Sequence, residues 1–550
     1  MKKTLLTILS LISVFGLSAQ WNPMENHRVT AGAAGHFEAK INKDGITFVA
    51  FWQLKAEDPE RQGDRHSDGV DQEYLLQIID KAGNNLFSTA GKLISDEPSR
   101  SFTAGLDDVL FIDSDGNALY IVKDERNNNG GYPDQGYFVY KVSPAGEFLW
   151  EEPVDLDKGY AYFGVYNIHV TQIADGSYIF AHDVYVTDKG VARVVIDRVS
   201  KNGEFEWEQS LELSNAEVSY SFPYVVDAGS GNFIVVYSKG PGIQMYAQKY
   251  GFDKEALWVN ETAIYRGGFT SGASPMTAFR VTSDANGGVF AFWYDDRYNS
   301  KFEEAYVSHI LSNGKQGFVI DGEGLQVSRS PSMRAFRPGG AYDAANEVLY
   351  VIFEEDNGNQ GFRSIVLQKV TKEGELLWTD PEGEEYNTNG FILDSKWAPE
   401  AVAYYSVQLA GDGKIAVFYQ RDYMRGNDTE NVAVLLDVSG DQPQTVWNDG
   451  EWIYLPRGTG KLSLTSLPLV DNEYFITLSV EGGDIFAQKV PLSGPTAIEP
   501  PAIDKADIAA YEYFDLMGRR LNVQPDNSLF IEKTIKKNGS VVVAKRFFKR

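Results

Sequence analysis

Short stretches of alternating apolar and polar residues recur along this chain, and each contains a tight turn and ends on an aromatic residue. The clearest copies are SIVLQKVTKEGELLW at 364–378, GYFVYKVSPAGEFLW at 136–150, RVVIDRVSKNGEFEW at 193–207 and MYAQKYGFDKEALW at 245–258. Weaker copies occupy 74–87, 305–318 and 431–447, with a truncated one at 484–494. Each predicts a strand, a turn and a second strand that ends on the aromatic residue, and such repetition indicates a repeat architecture.

A second pair of strands lies upstream of each unit, as in YVVDAGSGNFIVVY at 224–237. Eight turns of the Asp-Gly or Asn-Gly type lie near residues 44, 115, 175, 230, 286, 345, 412 and 471, and such turns between apolar runs indicate hairpins. The unit therefore has four strands, A to D. Strand B is apolar on both faces and needs cover on both. This pattern predicts an all-β fold, an eight-bladed β-propeller of four-stranded antiparallel blades.

The eighth copy lacks a strand D, and the N-terminus offers one. The distance from Trp21 to Asp44 is 23 residues, close to the 24 from Trp447 to Asp471. We therefore predict that residues 21–30 form the outer strand of the last blade and close the ring, which removes exposed sheet edges. The alternatives are an unstructured N-terminal tail and a seven-bladed ring.

The ends of the chain predict export. Residues 1–19 have a charged start, an apolar stretch and a small-residue cleavage region, as a secretory signal peptide does. The apolar stretch is shorter than the roughly 20 residues of a membrane span, so no transmembrane segment is predicted. The predicted domains are the signal peptide (1–19), the propeller (20–494), a Pro-rich linker (495–507) and a small C-terminal β-domain (508–550).

Composition restricts the function. The formal net charge is −27 and there is no cysteine, so thiolate chemistry and disulfides are excluded, and an acidic body repels nucleic acid. The segment 508–550 has the opposite sign, with nine Lys/Arg against four Asp/Glu. Motifs for zinc proteases, serine hydrolases and nucleotide-binding loops are missing from the sequence, so neither a metal site nor a cofactor is predicted.

The C-terminal segment resembles the sorting domain of type IX secretion substrates of the Bacteroidota. The matching motif consists of Tyr513, Phe514, Asp515, Leu516, Gly518 and Arg519, followed by strands at 529–532 and 541–545. The family usually has Gly-Ile/Leu-Tyr where this chain has Ser528-Leu529-Phe530. The resemblance implies the secretion machinery as a partner, and an extracellular or outer-membrane location. It says nothing about the task of the propeller.

Charged and aromatic residues recur just after strand B, where the longer B–C loops begin, and loops on a rigid scaffold often carry binding residues. The candidate ligand-binding residues are Asp124 and Arg126 in blade two, Asp183 in blade three, Trp293, Asp295, Asp296 and Arg297 in blade five, Glu355 in blade six, and Arg421, Asp422 and Tyr423 in blade seven. The competing interpretation is that these residues brace adjacent blades, because catalytic sites are normally unique whereas scaffolding repeats.

Two functional hypotheses follow. The first is a non-enzymatic binding protein, secreted or attached to the cell surface, with a glycan or protein ligand. The second is a glycan-active hydrolase or lyase that uses carboxylates of the long-loop face. B–C carboxylates that are all paired with Arg or backbone donors favour the first, and two that stand unpaired in a pocket with raised pKa values favour the second.

Overall fold

The structure is a computed structural model that forms two compact units, Met1–Gly494 and Pro495–Arg550. It describes residues 27–31, 37–54, 72–97, 99, 109–127, 135–158, 164–185, 191–215, 217–240, 244–265, 280–296, 303–318, 324–328, 333–357, 362–378, 390–397, 402–421, 429–447, 452–458, 465–481, 483–493, 508–514, 520–521, 528–536 and 541–548. Over these ranges there are strands and turns, and no helix long and apolar enough to cross a membrane.

Strand β1 (His27–Arg28) precedes the first four antiparallel sheets. Blade one contains β2 (Phe37–Ile41), β3 (Thr47–Leu54), β4 (Gln72–Ile79) and β5 (Lys92–Ser95). Blade two contains β6 (Leu110–Ile112), β7 (Ala118–Asp124), β8 (Gly136–Val142) and β9 (Val154–Asp155). Blade three contains β10 (Gly164–Gln172), β11 (Tyr178–Tyr185), β12 (Ala192–Val199) and β13 (Leu211–Leu213). Blade four contains β14 (Tyr220–Asp227), β15 (Phe233–Lys239), β16 (Gln244–Tyr250) and β17 (Thr262–Tyr265).

Four more sheets follow in the same order. Blade five contains β18 (Arg280–Ser283), β19 (Val289–Asp295), β20 (Glu304–Ile310) and β21 (Leu325–Gln326). Blade six contains β22 (Arg334–Asp343), β23 (Val348–Asp356), β24 (Phe362–Thr371) and β25 (Phe391–Trp397). Blade seven contains β26 (Ala403–Gly411), β27 (Lys414–Arg421), β28 (Thr429–Asp437), β29 (Gln444–Thr445) and β30 (Trp452–Gly458), the last two both pairing with β28. Blade eight contains β31 (Thr465–Ser466), β32 (Tyr474–Glu481) and β33 (Asp484–Pro491).

The apolar cores lie between blades. Along strand B of blade one, Phe48 and Ala50 face blade two, whereas Val49 and Phe51 face blade eight. Successive side chains of a strand point to opposite faces, so one apolar strand supplies two cores. Eight buried clusters of this kind join each described blade to the next and the eighth to the first. The described residues therefore form a closed eight-bladed β-propeller, and the seven-bladed alternative is wrong.

The N-terminal strand closes the ring, as the spacing predicts. In blade eight the sheet order is β1-β33-β32-β31, with His27 opposite Ala487 and Arg28 opposite Phe486. Val29 N donates to Ile485 O at 2.8 Å. Ile485 N donates to the Thr30 hydroxyl at 3.1 Å. Val29 and Thr30 are buried, while Trp21 lies outside the described residues.

The repeated tryptophan lies before strand D and contacts the next blade. The indole Nε1 of Trp150 donates to Lys201 O, in the C–D turn of blade three, at 3.1 Å. The same bond joins Trp207 to Phe252 O (2.8 Å), Trp258 to Ser312 O (3.1 Å) and Trp447 to Leu492 O (3.2 Å). The prediction that this residue ends strand D was wrong, because β9 begins only at Val154. The C–D turn carries the indole onto the next blade before the ladder resumes.

The C-terminal unit is a separate four-stranded antiparallel sheet. Its strands are β34 (Ile508–Phe514), β35 (Arg520–Leu521), β36 (Ser528–Lys536) and β37 (Val541–Phe548), in the order β35-β34-β36-β37. The small C-terminal β-domain expected from the sequence is therefore present.

Candidate functional site

The candidate binding residues follow strand B in several blades, and most of those that the structure describes are buried. Asp124, Asp183, Asp295 and Glu355 each have at most 1% of their surface exposed. Arg297, Asp422 and Tyr423 lie outside the described residues. A buried carboxylate needs a partner or a proton, so the partners of each residue decide its role.

In blade two, Asp124 and Arg126 form a bidentate ion pair. Arg126 Nε donates to Asp124 Oδ1 at 3.0 Å and Nη2 donates to Oδ2 at 2.6 Å. The guanidinium lies 3.9 Å from the Phe138 ring centre and also donates to the hydroxyls of Tyr140 (2.9 Å) and Ser95 (3.3 Å). Burial raises the pKa of Asp124, and the Arg126 bonds oppose that shift. Since Ser95 ends strand D of blade one, this pair braces two blades.

In blade three, Asp183 connects its own blade to blade four. Its carboxylate accepts from Asn167 N (3.0 Å), Asn167 Nδ2 (2.9 Å) and Phe222 N (2.9 Å). Burial raises the pKa of Asp183, whereas these donors lower it. Blade seven has a comparable brace, in which Asp394 Oδ2 accepts from Arg421 Nη2 (2.8 Å) and from the Tyr419 hydroxyl (2.9 Å).

In blade five, Trp293 lies in the core and offers no accessible face. Its ring is fully buried and lies between Tyr265 of blade four and Tyr306, with ring centres 5.8 and 5.7 Å away. Its Nε1 donates to Asp295 Oδ2 at 2.8 Å. Asp296 follows and is also buried. Trp293 is therefore a packing residue and not a platform for a ligand.

Two glutamates at the seam between blades five and six differ from these braces. The Oε1 atom of Glu355 is buried and has no hydrogen-bond partner among the described residues. Burial, together with repulsion from Glu304, raises the pKa of Glu355 well above its ordinary value. Burial raises the pKa of Glu304 to about 7, although Ser328 donates to its Oε2 at 2.5 Å. Glu304 is therefore chemically able to hold and release a proton near neutral pH.

Sequence reasoning missed a set of bulges on strand A, the innermost strand. Phe222, Arg337 and Tyr404 have positive φ values of 53°, 48° and 50°, and each lies at a shift of register between strands A and B. Bulges often re-aim side chains at functional sites. The available signal was a proline inside a strand, since Pro223 and Pro338 follow two of these residues.

The open clefts in the described part of the propeller include two with room for a small molecule. One, of about 400 Å³, lies among the A–B turns and is lined by residues such as Thr171, Asp227 and Asn286. The other, of about 500 Å³, lies on blade four and is lined by Tyr237, Tyr246 and Tyr250, among others. No group of three or more His, Asp or Glu side chains suited to a metal ion occurs within the described ranges.

Of the sorting motif in the C-terminal unit, the structure describes the backbone of Phe514 and the whole of Tyr513. Its ring stacks on Tyr511 with centres 6.3 Å apart, and the neighbouring Glu512 pairs with Arg520 at 2.9 Å. Asp515, Leu516, Gly518 and Arg519 lie outside the described residues.

Comparisons with known proteins find only distant structural likeness. No protein-family model and no curated protein matches the sequence. Among solved structures, the polysaccharide lyase Uly1 is 10% identical with a TM-score of 0.43, covering 86% of this chain and 100% of its own. The β-propeller domain of the Trilobed protease from Pyrococcus furiosus is 10% identical with a TM-score of 0.34 (76% and 98% covered). An alpha-L-arabinofuranosidase of Fusarium graminearum is 12% identical with a TM-score of 0.31 (59% and 92% covered). Likeness this low carries no argument about activity.

Proposed function

We propose that this chain is an exported, non-enzymatic binding protein whose propeller presents a glycan- or protein-binding surface outside the cell. The observation that supports this proposal is that charged residues after strand B bond to neighbouring blades. Arg126, Asp183 and Arg421 each bond to an adjacent blade, so these three charges are scaffold and not part of a catalytic constellation. A rigid ring of this kind suits display of loops.

A glycan and protein array probed with the purified chain tests binding. We expect saturable binding to one class of ligand, with the ligand recovered unchanged. Asp183→Ala serves as a fold control, because a brace affects stability and not ligand choice. Depolymerisation of a polysaccharide on the array, or no binding to any glycan or protein, contradicts the proposal.

We further propose that the segment 508–550 directs the chain across the outer membrane. Its resemblance to the type IX sorting domain and its net positive charge support this proposal. Deletion of 508–550 should leave a folded propeller in the periplasm, whereas the parent chain reaches the cell surface or the medium. Cell fractionation with immunodetection measures this, and normal release of the truncated chain refutes the sorting role.

A glycan-active hydrolase or lyase is the second candidate, and the observation in its favour is the raised pKa values of Glu304 and Glu355, which are buried at one seam. Glycosidases use two carboxyl groups roughly 5–9.5 Å apart, one of them with a raised pKa. Reducing-end release and unsaturated products should be assayed on a polysaccharide panel. Activity that Glu355→Gln abolishes and that the surface control Glu347→Gln retains would establish this candidate in place of the first.

A further inference from the structure

Blade four departs from the repeat at one buried position. In six blades a residue near the end of strand C forms a single bridge across the C–D turn. This residue is aliphatic in five of them, namely Ile79, Val142, Val199, Ile310 and Val370, and is Tyr250 in blade four. The aliphatic residues are fully buried, whereas Tyr250 is 7% exposed. A unique polar residue at a repeated apolar position indicates a role that the scaffold does not need.

Tyr250 is part of a cleft that we call the tyrosine cleft, lined by Tyr237, Tyr246, Gln248, Tyr250, Asn260 and Glu261. Its volume of about 500 Å³ falls within the usual range of small-molecule sites, roughly 300–1,000 Å³. Tyr237 and Tyr250 belong to the core that blade four shares with blade three, so packing holds their rings in place. The cleft is therefore built on rigid strands.

Polar groups are concentrated in the tyrosine cleft. The Tyr237 hydroxyl donates to Glu261 Oε2 at 2.5 Å, and Glu261 Oε1 pairs with Lys239. The Tyr246 hydroxyl donates to Gln244 Oε1 at 2.6 Å. The Tyr250 hydroxyl has no hydrogen-bond partner among the described residues. The cleft thus offers a free phenol and carboxylate oxygens that retain lone pairs.

Charge in the tyrosine cleft selects against ionic ligands. Lys239 neutralises Glu261, and its Nζ also lies 4.2 Å from the Tyr246 ring centre. Among the described residues that line the cleft, no unpaired cation is left for an anionic ligand, and the Glu261 carboxylate is already neutralised, so it does not favour a cationic one. The chain as a whole has a net charge of −27, which also repels polyanions.

We infer that the tyrosine cleft binds a neutral sugar residue of a glycan. A sugar ring has hydroxyl groups at its edge and an apolar C–H face, which match the carboxylate oxygens, the phenols and the Tyr246 ring. This inference deepens the proposed function and rests on it, since it names the ligand class and its place. Tyr250 would be a ligand-contacting residue, and Gln248 a positioning residue, because its Nε2 already donates to Trp258 O at 3.3 Å.

The test uses the purified full chain and a panel of neutral xylo-, manno-, cello-, arabino- and galacto-oligosaccharides, with alginate, pectin and tetramethylammonium as charged probes. Binding is measured by calorimetry. Tyr250→Phe removes only the hydroxyl and should weaken binding about five- to tenfold, the effect of one hydrogen bond. Tyr250→Val restores the residue that blades two, three and six have there, and should abolish detectable binding.

The matched control is Leu377→Ala, at an exposed position of the C–D turn of blade six, which should bind as the parent does. Circular dichroism and melting curves check that each variant is folded, and Tyr250→Phe retains the packing if Tyr250→Val does not. Neutral-sugar binding that neither variant weakens overturns this site but leaves the proposed function standing. Preference for uronates or tetramethylammonium, or no binding of neutral sugars, also overturns it.

Discussion

Replacement of a glycine in the C–D turn of blade three tests how adjacent blades are held together. Gly203 has φ +88°, and a Cβ added to it would lie 2.9 Å from Trp150 Cδ2. Gly176, in the A–B turn of the same blade, has φ +87°, but its added Cβ would have only Gln172 Nε2 nearby, at 3.9 Å. An alanine at either position therefore has the same backbone strain, but only the alanine at position 203 would clash with the Trp150 indole.

The expected decrease in the free energy of unfolding follows from these contacts. A left-handed conformation costs a non-glycine residue roughly 1–2 kcal/mol, which both variants share. Gly203→Ala must in addition move Trp150, whose indole donates to Lys201 O at 3.1 Å. Overpacking of a tight contact typically costs about 1–3 kcal/mol, and a weakened hydrogen bond adds about 1 kcal/mol. We expect Gly203→Ala to lower the free energy of unfolding by roughly 2–4 kcal/mol more than Gly176→Ala.

Urea unfolding, followed by tryptophan fluorescence and circular dichroism, measures the two variants. A double-mutant cycle with Trp150→Leu isolates the contact. In the Trp150→Leu background the excess cost of Gly203→Ala should largely disappear, because a smaller side chain leaves room for the methyl group. Equal destabilisation by the two alanines, or an excess that persists without the indole, would refute the inter-blade lock.

Three further predictions concern the ring, the buried carboxyls and the braces. Val29→Asp places a charge in the buried closing strand, so it should lower the melting temperature sharply and promote association through the bared sheet edge. Calorimetry measures the melting temperature and size-exclusion chromatography the association state. A variant that stays monomeric and melts like the parent argues against closure. Burial raises the pKa of Glu304 to about 7, so the folded state retains a proton that the unfolded state releases near pH 4.5. The stability that this proton contributes is complete below about pH 4.5 and is lost as the pH rises towards 7. Glu304→Gln should therefore flatten the fall in stability between these pH values, by an amount on the order of 3 kcal/mol, and an unchanged pH profile would exclude the shift. Asp183→Ala should destabilise the chain by roughly 2–4 kcal/mol, because Phe222 N and the Asn167 amide lose their acceptor, and a neutral effect in urea unfolding would instead point to a ligand-binding role.

Local pattern was sufficient to predict most of the fold. Each blade lies within a short stretch of sequence, in which alternating apolar residues and turn residues specify the strands. The predicted closing strand needed one further fact, the spacing from Trp21 to Asp44, and residues 27–30 do pair with blade eight. The position of strand D was predicted wrongly, because the aromatic residue that marks the repeat contacts the next blade and does not belong to the hydrogen-bond ladder of strand D.

The roles of the charged residues after strand B depended on tertiary structure. Asp183 and Phe222 are separated by 39 residues, and Asp394 and Arg421 by 27, so no local pattern shows that they bond. Trp293 follows the same pattern as an exposed aromatic at a loop start, yet two neighbouring rings cover it. Burial and pairing arise between blades, and a sequence lists blades one after another without showing which side chains meet.

The sequence by itself thus determined the repeat, the number of blades and the strand that closes the ring, because strands and turns are specified by residues near one another in the chain. Only the tertiary structure decided that Arg126, Asp183 and Arg421 are braces and that Glu304 and Glu355 share a seam. It also decided that Tyr250 opens onto a cleft where Val142 and Val199 are buried. The physical reason is that burial and electrostatic coupling depend on distances between blades, which the order of residues does not contain.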